Sequence, residues 1–127
     1  MDGISREGNI LVSNKVPTGY YAFIYQGLVP LAREFGYALC LHGSMSRDLD
    51  LVAIPWVDDA KDPYSLVTAI RDSVCGHINN EWDFEKCVID NDFSKRNPAI
   101  KPHGRLSWDI QLGGGLYIDL SVIPKLK

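Results

Sequence analysis

Three aspartates carry the most distinctive chemistry in this sequence. In Asp48-Leu49-Asp50-Leu51 the two-residue period of an extended strand sends both aspartates to one face and both leucines to the other. Asp119, within Tyr117-Ile118-Asp119-Leu120-Ser121, also points away from the apolar set of its own strand. Aspartate is a poor strand former, so two of them at alternate positions need a reason. On neighbouring strands the three carboxylates would converge on one solvent-open face, where like charges repel unless a cation sits among them. Oxygen-only ligands with open positions suit Mg²⁺ or Mn²⁺, completed by water and substrate phosphates. Two such ions can clamp the attacking and leaving oxygens of a phosphoryl transfer. The commoner fate of a D-x-D pair is an exposed strand face with no ion at all.

The strands and helices that must position these acids are legible in outline. Tyr20, Ile24, Gly27, Leu28, Leu31 and Phe35 recur at helical spacing over residues 18–35, and Gly36 supplies a stop. Pro30 interrupts that run, leaving one kinked helix or two short ones. Tyr37–His42 reads as a buried strand closed by Gly43-Ser44, and residues 48–54 as a second strand ended by Pro55. Asp62-Pro63 is a helix start, Asp as N-cap and Pro at the first helical position, with Leu66, Val67, Ile70 and Val74 as the apolar stripe. A third strand is expected over residues 85–89 and a polar loop over 90–104. Residues 105–112 alternate, with Leu106, Trp108, Ile110 and Leu112 on one face. Gly113-Gly114-Gly115 makes a hairpin turn into a returning strand of Leu116, Ile118, Leu120 and Val122. The fold class expected is α+β (mixed α/β), a twisted mixed sheet backed by two main helices. Residues 1–15 read as a flexible arm and 16–127 as a single domain.

Composition narrows the partners. At 127 residues the chain can bury a core without staples, and 13 Lys+Arg against 16 Asp+Glu leave no basic field to hold nucleic acid non-specifically. The charge is divided, net −7 over residues 1–92 and net +4 over 93–127, so the basic end is either a neutralising tail or a local site for a phosphate-bearing ligand. No run of about 18 apolar residues and no secretory start is present, so no membrane partner and a cytoplasmic location are expected. Cys40, Cys75 and Cys87 lie in apolar stretches without CxxC spacing and read as reduced, buried thiols.

Taken together, Leu41-His42-Gly43-Ser44, then Asp48-Leu49-Asp50-Leu51, then Asp119 on a later strand, resembles the nucleotidyltransferase superfamily pattern of the DNA polymerase β-like fold. The closest likeness is to small single-domain members of phage or prophage type, over about residues 18–124. The resemblance implies that Gly43 and Ser44 lie against a nucleotide triphosphate. It also implies that Asp48, Asp50 and Asp119 hold two divalent ions, Mg²⁺ or Mn²⁺, and carry the catalysis. It implies attack of an acceptor hydroxyl, on a small molecule, a protein or an RNA end, on the α-phosphate of an NTP. Relatives usually have a longer connection between the Gly-Ser pair and the acids; here only Met45-Ser46-Arg47 intervene, so Ser46 or Arg47 would contact phosphate instead. Lys101 and Arg105 would neutralise triphosphate charge or stand as solvated loop cations. Asp109 is a supporting carboxylate or an exposed strand acid, and His42 a phosphate contact, a base or a hydrogen-bonded strand end. Trp56, Trp82 and Trp108 read as packing residues, with Trp56 also placed to stack on a base. The short chain leaves the acceptor site to a homodimer or partner protein. Two alternatives stay open: an inactive nucleotide- or partner-binding module of the same fold, and a metal-dependent phosphoesterase.

Overall fold

The computed structural model describes the backbone at residues 9–75, 88–89 and 98–125, and side chains over 18–74 and 98–125. Helix α1 (Asn9–Glu34) leads into strand β1 (Tyr37–His42) and strand β2 (Leu49–Pro55), followed by helix α2 (Pro63–Cys75). Two short strands, β3 (Val88–Ile89) and β4 (Ala99–Ile100), precede the long hairpin of β5 (Leu106–Gly113) and β6 (Leu116–Val122). This is an α+β fold. The sheet runs β1-β2-β6-β5, with β3 and β4 both pairing to the outer edge of β5. Among the described residues only the central β2–β6 pair is parallel, and the other pairs are antiparallel.

The sheet forms because its strands alternate. Leu49, Leu51 and Ala53 of β2, Ile118, Leu120 and Val122 of β6, and Trp108, Ile110 and Leu112 of β5 are buried on one face. Tyr21, Ile24, Leu28 and Ala32 of α1 join the same core, as do Leu66, Val67, Ile70 and Val74 of α2. Each such aliphatic side chain contributes roughly 1.5–3 kcal/mol by leaving water. The helix α2 starts as its sequence dictates: Asp62 accepts from the Ser65 N–H at 2.9 Å and from the Ser65 hydroxyl at 2.9 Å, and Pro63 opens the helix. These bonds, the Ser65 N–H first, hold the Asp62 carboxyl below its ordinary value.

Some expectations need correction. Of the two readings of Pro30, a single helix holds and two short ones do not: α1 runs from Asn9 to Glu34, its buried stripe carrying on across the proline from Leu28 to Ala32. The same helix already contains residues 9–15, assigned above to a loose arm; residues 1–8 of that arm lie outside the described residues. Cys40 is exposed, not buried: Tyr37 and Leu39 take the core-facing positions of β1, and Cys40 falls on the opposite face of the sheet. Trp108 is buried with an edge-on contact to Tyr64, whereas Trp56 is 74% exposed. The side chain of Cys75, together with Cys87 and Trp82, lies outside the described residues, as does most of the expected loop 90–104. Its last part is ordered as β4 and a single tight turn at Pro102–Gly104.

Candidate acidic site

With one sheet face given to the core, the polar positions of β2, β6 and β5 fall on the other face and line up across the strands. His42 of β1 is the register partner of Asp50 on β2, Asp50 of Asp119 on β6, and Asp119 of Asp109 on β5. Four potential charges therefore form one row over four adjacent strands. Asp48, immediately before β2, completes a cluster in which one carboxylate oxygen from each of Asp48, Asp50 and Asp119 lies within 4.8 Å of the others. All three are half-buried. This is the convergence that the strand periodicity predicts.

The electrostatics record the crowding. Asp50 is pushed up to about 6, by burial first, then by the charge of Asp48 and a hydrogen bond shared with it, then by Asp119, with His42 opposing. Crowding of this kind favours the protonated acid, and a bound cation would take the proton's place. The Tyr117 hydroxyl is also held above its ordinary value, by burial and then by Asp48, Asp109 and Asp119. Hard carboxylate oxygens at this spacing fit Mg²⁺ or Mn²⁺, so the residues present suit the ions that their pattern implies.

The turn before the acids has its own geometry. Gly43 has φ +83°, and a Cβ placed on it would stand 2.8 Å from Asp50 Oδ2, so only glycine lets the chain pass that close to the carboxylate. Ser44 and Ser46 share a hydroxyl hydrogen bond of 2.7 Å, and the Ser46 N–H donates to Ser44 Oγ at 3.3 Å. Residues 43–48 form bends without a helical turn, and Ser44, Ser46 and Arg47 are exposed beside the triad.

On the far side of the row, Arg105 donates from Nη1 to Ser121 Oγ at 2.8 Å. Ser121 pairs in register with Ser107, whose hydroxyl reaches Asp119 Oδ1 at 3.4 Å. Arg105 is thus held on the acidic face, one serine pair away from Asp119. Lys101 is exposed, and its backbone N–H bonds the Arg105 carbonyl, closing the turn; no described contact brings its ammonium to the triad. Trp56 lies six residues beyond Asp50 along β2, roughly 20 Å away at strand rise, which removes it from base stacking at the acids.

Sequence reasoning missed Tyr21 and Tyr117. Tyr21 is fully buried; its hydroxyl donates to the Arg47 carbonyl at 2.7 Å and accepts from the Tyr117 N–H at 3.2 Å. A tyrosine beside a buried stripe does signal a hydroxyl in need of a partner, but not which partner.

No protein family, no curated protein and no solved structure matches the chain. What fold and site define together is a small α+β domain with a mixed sheet and an acidic triad on its open face. Among the described residues no helix is long and apolar enough to cross a membrane.

Proposed function

We propose that the protein is a divalent-metal-dependent nucleotidyltransferase that moves an NMP group from an NTP to a hydroxyl acceptor. The observation that carries this reading is the triad itself, with carboxylates of Asp50 and Asp119 on two adjacent parallel strands and of Asp48 at the turn before one of them within 4.8 Å, and Gly43 seated against Asp50. Asp48, Asp50 and Asp119 would hold Mg²⁺ or Mn²⁺, which when bound supplies charge neutralisation on the triphosphate. Gly43 and Ser44 offer the close backbone approach, Ser46 and Arg47 side chains at the same exposed turn, and Arg105 a guanidinium along the same face. Lys101 adds charge at the rim. The acceptor hydroxyl loses its proton to Asp119 as its oxygen bonds the α-phosphorus, and the α–β bridging bond breaks to release pyrophosphate. Alignment and charge stabilisation supply most of the rate. The acceptor, a small molecule, protein or RNA end, would be presented by a second copy or a partner protein.

The test is a thermal-shift series on wild type and the double variant Asp48→Ala/Asp50→Ala, with Mg²⁺ or Mn²⁺ and each NTP, followed by a pyrophosphate-release assay. A ligand at a hundredfold its dissociation constant adds about 2.7 kcal/mol of stability. The expected outcome is a shift needing metal and one NTP, absent in the variant, with pyrophosphate released once the acceptor is supplied. A shift without turnover across candidate acceptors favours the binding module; turnover of phosphoesters without an NTP favours a phosphoesterase. No shift with any metal–NTP pair rejects the nucleotidyltransferase and the nucleotide-binding module, and leaves a partner-binding module to be sought.

A further inference from the structure

The acids stand on separate segments: Asp48 ends the turn into β2, and Asp119 lies in β6, 71 positions later. Sheet pairing sets Asp50 against Asp119, but Asp48 lies before the first paired residue, Leu49, and the ladder does not fix it. Two side chains span the gap: Tyr117 of β6 shares a side-chain hydrogen bond with Asp48 itself, and Tyr21 ties the backbone behind both acids. The Tyr21 hydroxyl donates to the carbonyl of Arg47, the residue just before Asp48, and accepts from the N–H of Tyr117, two residues before Asp119. Both bonds are made by one oxygen at the end of a fully buried ring on α1. One turn earlier on the same helix, the Thr18 hydroxyl donates to the Met45 carbonyl at 3.1 Å, fastening the middle of the same turn.

From this arrangement we infer that Tyr21 is a positioning residue of the acidic site: its hydroxyl fixes the backbone behind Asp48 to the backbone behind Asp119, and so tunes the metal affinity without touching a metal or substrate. The role rests on the triad's being a metal site. Buried tyrosines that tie backbone elsewhere supply the comparison. Tyr37 is equally buried and donates to the Lys61 carbonyl at 2.6 Å, on a segment that carries none of the acids. Tyr21 and Tyr37 thus offer the same chemical bond in two places, only one of which lies behind the triad.

The experiment compares Tyr21→Phe, Tyr37→Phe and wild type in two readouts. Each variant keeps its ring in the core and deletes one oxygen. Free Mn²⁺ is titrated by electron paramagnetic resonance, and amide hydrogen exchange is followed at Leu49 and Tyr117 in the metal-free protein. The expected result is Mn²⁺ affinity lowered about 10–100-fold in Tyr21→Phe, the range for removing a group that orients metal ligands, and unchanged in Tyr37→Phe. Exchange at Tyr117 should quicken in Tyr21→Phe alone. Thr18→Val, which frees Met45 and leaves the core ring intact, should weaken Mn²⁺ binding in the same direction, and serves if Tyr21→Phe does not fold. Equal Mn²⁺ affinity in Tyr21→Phe and wild type, or equal losses in both tyrosine variants, would overturn the role of Tyr21 while leaving the metal site standing. Wild type that binds no Mn²⁺ overturns the metal site and this role with it.

Discussion

Gly43 and Asp50 are packed so closely that a single added carbon on the glycine would stand 2.8 Å from the aspartate's Oδ2. Gly43→Ala therefore carries two costs, a left-handed backbone that disfavours Cβ by about 1–2 kcal/mol and a displaced carboxylate. Gly115, at φ +82° with nothing within 4 Å of its Cβ position, carries only the first. Both alanine variants should lose stability in chemical denaturation, by about 1 kcal/mol for Gly115→Ala and more for Gly43→Ala. Only Gly43→Ala should lose Mn²⁺ affinity in titration, and equal affinity in the two variants would remove Gly43 from the site.

Asp50 titrates unlike an ordinary aspartate because burial and two neighbouring carboxylates hold its proton on. Its folded value, about 6, lies above its ordinary 3.8. Between those values the native chain binds more protons than the unfolded one, so this group makes the metal-free protein less stable as pH rises through that window. Asp50→Asn, which imitates the protonated acid, should raise the melting temperature of the metal-free protein at pH 7 and make little difference near pH 4. With saturating Mn²⁺ at pH 7 the order should reverse, since wild type alone keeps the full ligand set. Melting curves at the two pH values, with and without Mn²⁺, decide it.

Much of this site was legible because strand periodicity is local. The alternation in 49–55 and 116–122 is enough to send Asp50 and Asp119 away from the core, and Asp62-Pro63 starts α2 by chemistry confined to four residues. What was not legible depends on contacts distant in sequence. That Asp50 faces Asp119 follows from parallel pairing of β2 with β6, and the Tyr21 bonds span 26 and 96 positions. Cys40 misled for a related reason: an apolar strand reads as buried on both faces, and only the packing of the helices against one side of the sheet leaves its other face to solvent. The continuity of α1 through Pro30 likewise belongs to packing against the sheet and not to local propensity.

Arg105 separates nucleotide binding from metal binding. Its guanidinium is anchored to Ser121, and Ser107 links that pair to Asp119, so it lies along the acidic face without belonging to the triad. On the proposed reading, Arg105→Ala should keep the Mn²⁺-only thermal shift and lose most of the additional shift from an NTP. Arg105→Lys should recover part of it, because a lysine keeps the charge but not the planar fork. A nucleotide-dependent shift unchanged in Arg105→Ala would place the triphosphate elsewhere.

Trp56 is the large exposed aromatic that invites reading as a base platform, and its position argues against that role. It follows β2 at the end remote from the acids, 74% exposed, beside a groove of about 490 Å³ formed with Ile54, Pro55, Val57, Ile123 and Lys125. Its backbone N–H is fixed to the Gly36 carbonyl at 2.8 Å, so the chain there does not depend on the indole for its course. An exposed side chain without a core contact changes stability by at most about 0.5 kcal/mol when truncated. Trp56→Ala should therefore leave the melting temperature within about 2 °C and leave both the Mn²⁺ and the Mn²⁺–NTP shifts as in wild type. A loss of the nucleotide-dependent shift in this variant would require the base to extend along β2 toward the groove, roughly 20 Å from Asp50, and would move the acceptor side of the site to the β6–β5 end of the acidic row.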